Sequence, residues 1–155
     1  MFERILVPTD GSDGAQTVIE RAVDIASRYG ATIDALYVAD ARIEGVVPEE
    51  ARDAVLNAMR REGEEATNAI SAAGAERDVR INTVVREGIP HQTILQHVKE
   101  NDVDLIVMGT HGRTGLERQI IGSVAERIVR LAQVPVMTVP LGEPEEESTP
   151  DRSFQ

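Results

Sequence analysis

Leu105-Ile106-Val107-Met108-Gly109-Thr110-His111-Gly112-Arg113-Thr114-Gly115, with Gly122-Ser123 just beyond it, is the stretch that decides the fold. Four consecutive apolar residues running into a glycine-rich loop read as a strand covered on both faces, the usual condition of a parallel sheet. Helical period resumes at Ser123, with Val124, Ile128, Leu131 and Ala132 on the apolar side and a stop before Pro135. The unit is therefore strand, loop, crossover helix, and such units build α/β sheets.

The same unit recurs upstream. Residues 4–8, 32–38 and 80–85 are short β-branched runs, and 136–139 closes the series after the last helix. The runs at 4–8, 105–108 and 136–139 are nearly continuous in apolar residues and are expected to be covered on both faces. Between the strands, Ser12 can cap a helix whose Ala15, Val18, Ile19, Ala22, Val23 and Ala26 form one stripe before Gly30. Pro48 opens the longest helix, with Ala51, Ala54, Val55, Ala58, Met59, Ala66, Ala69, Ile70 and Ala73 as its apolar side and Gly74 as its end. Pro90 opens a third, which buries Ile94, Leu95 and Val98. The pattern β-α-β-α-β-α-β-α-β, with right-handed crossovers, limits the topology to a few doubly wound parallel sheets. Residues 39–47 form the one long internal connection, expected to be mobile and placed to lie over a site.

Length and composition agree with a single domain: 155 residues, 41% of them hydrophobic, can bury one sizeable core. The formal net charge is −11, with a pI near 4.7. That balance argues against nucleic acid or an anionic membrane as partner, since phosphate backbones demand a basic face. The basic residues are fifteen arginines and one lysine, Lys99, which lies between Val98 and Glu100. The lysine-dependent phosphate loop, Gly-x4-Gly-Lys-Ser/Thr, is thereby excluded. Without cysteine there are no disulfides, thiolate metal sites or thiol nucleophiles. The N-terminus lacks signal-peptide character and no window reaches eighteen apolar residues, so the expected compartment is the cytoplasm. Residues 142–155 carry five acids and one arginine with almost nothing to bury, and read as an acidic disordered tail after a domain spanning 1–141. Residues 1–141 keep a charge of −7, an acidic surface of the halophilic type that suits a salt-rich interior.

Open parallel sheets bind ligands beyond the carboxyl ends of their strands, where strand order reverses. Two loops have the composition for this: Pro8-Thr9-Asp10-Gly11-Ser12-Asp13-Gly14 after the first strand, and the glycine-rich loop after the fourth. Glycine lets a backbone approach a phosphate closely, and the start of the last helix adds free N–H groups and the positive end of a dipole. Gly109, Gly112, Gly122 and Ser123 thus form a phosphate cradle that needs no lysine, with Arg113 as a nearby cation. Each piece also has an ordinary use. A lone Gly-x-x-Gly is weak, Ser12 and Ser123 can serve as N-caps worth about 1 kcal/mol, and Asp10-Gly11-Ser12 is good turn chemistry.

Gly109-x2-Gly112-x9-Gly122-Ser123, preceded by Ile106-Val107-Met108 and followed by Val134-Pro135-Val136, resembles the nucleotide-binding signature of the universal stress protein family. Ile5-Leu6-Val7-Pro8-Thr9-Asp10-Gly11-Ser12 resembles the same family's first strand and loop. The two motifs lie at opposite ends of a resemblance covering residues 1 to 140. It implies a five-stranded parallel sheet of order 3-2-1-4-5 with helices on both faces, of the adenine nucleotide alpha hydrolase-like class. It also implies ATP as ligand, with Asp10, Val38, Pro8 and Thr9 on the adenine side, and Met108, Gly109, Gly112, Gly122, Ser123 and Val124 on the ribose and phosphates. Arg113, Thr110 and His111 occupy variable positions. A homodimer through Val136–Val139 follows from the same resemblance, and an apolar edge strand invites such pairing.

Catalysis has thin support in the residues. His91 and His97 lie about 600° apart around a helix and make a poor metal pair. His111 and Asp10 are the candidates for a slow ATPase or phosphotransferase, and Asp10 and Asp13 for a Mg²⁺ ion carried by the phosphates. The resemblance implies an ATP-binding regulator of the stress response with an unnamed protein partner, and the residues add the expectation that hydrolysis is slow or absent.

Overall fold

The computed structural model describes residues 1–12, 14–110 and 121–140. Its elements are β1 (Arg4–Thr9), α1 (Ala15–Tyr29), β2 (Thr32–Asp40), a 3-10 turn (Ala41–Gly45), α2 (Glu49–Ala75), β3 (Ile81–Gly88), α3 (Pro90–Glu100), β4 (Leu105–Gly109), α4 (Ser123–Leu131) and β5 (Val136–Val139). The sheet is parallel, in the order β3-β2-β1-β4-β5. β1 is its axis, with Ile5 beside Ile33 on one flank and Leu105 on the other.

Alternation along the strands makes two cores. Ile5, Val7, Ile33, Ala35, Leu105 and Val107 face α1 and α2, while Leu6, Leu36, Ile106 and Met108 face α3 and α4. α1 and α2 therefore cover one face and α3 and α4 the other. The change of side falls between β1 and β4, where a doubly wound sheet opens its cleft.

Several local expectations change in three dimensions. Ser12 does not cap α1, because Gly14 holds that position and Ser12 contributes only its carbonyl, to the Ala15 N–H. Residues 39–47 hold regular structure over most of their length rather than an irregular connection. β2 runs on to Asp40, whose carboxylate accepts the Arg42 N–H and starts the 3-10 turn. In α4, Leu131 is 51% exposed, and the buried positions are Ala125 and Ile128. β5 is the sheet edge and is half-covered in the single chain. The expected tail, 142–155, lies outside the described residues.

The largest correction concerns α2, about 40 Å long at 1.5 Å per residue. Only part of the expected stripe faces inward: Ala54, Ala58 and Ala69 are exposed, Ala51, Val55, Met59, Ala66 and Ala73 are half-buried, Ile70 is buried, and Gly63, Thr67 and Gly74 join it on the buried line. Small residues win because the helix lies directly on side chains of the sheet. A Cβ on Gly63 would sit 2.5 Å from Tyr37 Cδ1, and one on Gly74 would collide with Ile81. Gly74 is thus a contact residue inside the last turn rather than the end of the helix.

A buried carboxylate ties the elements together. Asp34, in the middle of β2, accepts hydrogen bonds from Asn82 Nδ2 of β3 at 3.0 Å and from His97 Nε2 of α3 at 2.9 Å, with Arg4 of β1 3.7 Å away. The Asp34 carboxylate can only accept, so His97 Nε2 is the donor; among the described residues the buried Nδ1 has no hydrogen-bond partner. Burial alone would raise the Asp34 carboxyl, but the hydrogen bonds from His97 and Asn82 and the Arg4 charge outweigh it and hold the group below its ordinary 3.8.

Two outcomes are expected. Gly63→Ala should lower stability by about 1–3 kcal/mol through overpacking against Tyr37, although the same change on an exposed helix would help by up to about 1 kcal/mol; the denaturant midpoint reads the sign. A carboxyl with a depressed folded pKa contributes stability that is present above its unfolded pKa and lost as pH falls through the folded one. Asp34→Asn should therefore cost about 1–3 kcal/mol at pH 7 and flatten the loss of stability below about pH 4, measured by denaturation between pH 2 and 7.

Candidate functional site

A cavity of about 430 Å³ lies over the carboxyl ends of β1, β2 and β4. It bends around the edge of the sheet. On the α1/α2 side it is lined by Val7, Thr9, Tyr37, Ala15, Ile19, Met59 and Ile70; on the α3/α4 side by Pro8, Leu36, Val38, Met108, Ile94 and Val124. The walls are mainly apolar, and the polar groups gather at the two loops, the common design of a small-molecule site.

The β1–α1 loop is held by its own side chains. Asp10 Oδ1 accepts the Ser12 N–H at 3.0 Å, Thr9 Oγ1 accepts the Gly11 N–H at 3.2 Å, and Gly11 takes φ +77°. The turn chemistry expected of Asp10 is thus present, and it fixes the carboxylate at the cavity wall. From α2, Glu62 comes within 3.3 Å of where a Gly11 Cβ would stand, while its Oε2 accepts a hydrogen bond from Tyr37 at 3.0 Å. Glu62 therefore props the loop from behind.

Across the cavity, the base of the β4–α4 connection is closed by two backbone bonds. The Gly122 N–H donates to the Thr110 carbonyl at 2.6 Å and the Thr110 N–H to the Val139 carbonyl at 3.0 Å. Gly122 is the N-cap of α4, and Ser123 is its first residue, with no side-chain capping bond. The helical ladder starts with Glu126 donating to Gly122. Ser123, Val124 and Ala125, all at the cavity wall, carry the first-turn N–H groups that helical geometry leaves without acceptors. A helix N-terminus with three such donors and no lysine suits a phosphoryl group, and the apolar floor of Leu36, Val38 and Met108 suits a planar base. These residues fit an adenine nucleotide.

Of the residues singled out from the sequence, Pro8, Thr9, Asp10, Val38, Met108, Gly109, Gly122, Ser123 and Val124 line this one cavity. Gly112, Arg113, His111 and Asp13 lie outside the described residues. Sequence reasoning missed Asp40 and Arg42, which also line it. Arg42 donates from Nε at 2.9 Å and from Nη2 at 2.6 Å to the two oxygens of Asp40, and these bonds hold the Asp40 carboxyl below its usual range. The placement of residues 39–47 beside a site was the only signal for them. Met59 and Glu62 had none, because they arrive through the packing of α2, at Gly63, against Tyr37 of β2. Among the described residues no group of three or more His, Asp or Glu is placed to hold a metal ion, and no helix is long and apolar enough to cross a membrane.

Comparison with known proteins follows the same lines. The sequence profile of the universal stress protein family matches residues 1–140. Universal stress protein MJ0531 of Methanocaldococcus jannaschii is 37% identical over 140 residues, covering 90% of this chain and 82% of that protein. Among solved structures, hypothetical protein MJ0577, described as a test case for structure-based assignment of biochemical function, superposes with a TM-score of 0.81 at 28% identity, covering 93% of this chain and 99% of that one. A universal stress protein from Archaeoglobus fulgidus, solved in complex with dAMP, shares the fold at a TM-score of 0.64 and 21% identity, covering 88% and 97% of the two chains. A parallel sheet of order 3-2-1-4-5 with its cleft between β1 and β4, matched along nearly its whole length, places this chain in the universal stress protein family.

Proposed function

We propose that the protein is an ATP-binding regulator of the stress response that works as a homodimer and releases phosphate slowly or not at all. The observation that carries this reading is the pairing, across one cavity, of the Asp10 loop with the lysine-free donor set at Gly122, Ser123 and Val124. Neutral backbone donors explain how a chain of net charge −11 can hold a polyanion, because the local field at a helix N-terminus differs in sign from the whole. Val38, Leu36 and Met108 supply the apolar bed for adenine; Pro8, Thr9 and Asp10 close the base side; Gly109 and, from the sequence, Gly112 and Arg113 continue the phosphate side. The dAMP complex of the Archaeoglobus fulgidus protein is a fold of this kind holding an adenine nucleotide, which agrees with the class of ligand.

The dimer rests on the β5 edge. Met137 of β5 is 38% exposed, and Val129 and Leu131 on α4 are 49% and 51% exposed, so apolar surface lies where a second copy would pair. A second reading, an ATPase or phosphotransferase using Asp10 or His111, has less behind it. Asp10 is engaged in the loop turn through Oδ1, the arrangement of a positioned binding group.

ATP titrated by calorimetry should bind the full chain, and Gly122→Val should weaken it at least about tenfold, about 1.4 kcal/mol, because a branched side chain blocks the approach to the helix N–H groups. Equal affinities would refute the phosphate cradle. Sedimentation at micromolar concentration should give a dimer for the wild type and a monomer for Met137→Glu, which places a charge at the unpaired edge. Phosphate release that falls in Asp10→Ala or His111→Ala would favour the enzyme reading.

A further inference from the structure

α3 and α4 cover the same sheet face and pack on each other, and their first turns lie side by side at the rim of the cavity. Arg127 of α4, half-buried, reaches across to His91 in the first turn of α3, its Nη1 donating to Nδ1 at 3.5 Å. Arg42, on the 3-10 turn, also lines the cavity, with its guanidinium committed to the Asp40 carboxylate. Partial burial, then the charges of Arg127 and Arg42, hold the His91 imidazole below its usual range. Neutral His91 therefore accepts from Arg127.

For this chain the arrangement is out of pattern. Acids outnumber bases 27 to 16, and Arg4, Arg60, Arg86 and Arg130 each stand within ion-pair distance of a carboxylate. Arg127 faces an imidazole instead, with no described carboxylate within that distance. Arg42 already has an anion in Asp40 and His91 is neutral, so Arg127 is the cation of this group whose charge no described carboxylate answers. Donors are also present. Pro90 has no N–H and the Thr93 N–H bonds back to Ile89, so those of His91 and Gln92 are the first-turn groups without intrahelical acceptors.

We propose that Arg127 and His91, with the first turn of α3, form an anion subsite at the rim of the cavity that takes a phosphoryl group. The planar guanidinium of Arg127 offers paired N–H donors matched to phosphate oxygens, and the α3 N-terminus faces them. The phosphoryl group is either borne by the nucleotide in the cavity or supplied by a separate phosphate or pyrophosphate ion beside it. Only the first source rests on the nucleotide reading above.

Pyrophosphate titrated into the full chain, followed by the NMR shifts of the Gln92 N–H and the His91 ring, tests the subsite directly. Saturable shifts are expected in the wild type, weakened about tenfold or more in Arg127→Gln and His91→Gln, and partly restored in Arg127→Lys, which keeps the charge without the fork. Arg130→Gln removes the same charge from the same helix and should leave the affinity unchanged. Unchanged amide shifts away from the rim show that each variant is folded. If ATP displaces pyrophosphate from these signals, the nucleotide supplies the anion; if both bind together, the ion is separate. Absence of saturable shifts at His91 and Gln92, equal affinity in Arg127→Gln and wild type, or equal loss in Arg130→Gln overturns the proposal. ATP binding without pyrophosphate shifts at the rim would sink the subsite and leave the nucleotide reading standing. Pyrophosphate binding at the rim with no affinity for any adenosine compound would do the reverse.

Discussion

β1 is hydrogen-bonded to β2 on one flank and β4 on the other, and the rest of the molecule follows from that placement. Right-handed crossovers oblige the helices after β1 and β2 to cover one face and those after β3 and β4 to cover the other. At the carboxyl ends of β1 and β4 the two chain directions part, and no helix can fill the gap. The cavity is therefore a consequence of topology, and the two loops that bound it are free to carry ligand chemistry without disturbing either core.

Charge is managed locally within this frame. Asp34 is buried in β2 because Asn82, His97 and Arg4 satisfy it from three other elements, so one carboxylate fixes the mutual positions of β1, β2, β3 and α3. Losing one partner would leave a buried charge only partly compensated, the costly case for such networks. At the other end of α3 the balance is reversed. His91 and Arg127 bring basic groups together at the rim, beside a cavity whose donors are neutral backbone.

Much of this was legible in the residues. Five short β-branched runs marked five strands within three residues at each end; β1 and β4, inside the sheet, are nearly continuous in apolar residues, and β3, at its edge, is not. Gly30 and Pro90 marked a helix end and a helix start through their own backbone preferences. The glycine and serine positions around Gly109 and Gly122, read with the Asp10 loop, located the cavity, since both loops follow strands that the reversal of order makes neighbours. Harder to read was α2, where Ile70 packs inward as its period implies but Ala54, Ala58 and Ala69 do not, and Gly63 and Gly74 take the closest contacts. Helical period says which residues share a face, and leaves open how closely that face must approach its neighbour.

The sequence by itself determined the alternation of strands and helices, the lysine-free character of any phosphate site, and the loops that could form one. These depend on local periodicity, on backbone preferences of glycine and proline, and on which residue types are absent. Tertiary structure alone decided that Asp34 meets His97 across 63 residues, that Glu62 supports the Asp10 loop through Tyr37, and that Arg127 finds a histidine in place of a carboxylate. Each of those contacts joins side chains from different crossover units. Their partners are set by the sheet order and by how closely the helices lie on it, which no local pattern in the chain encodes.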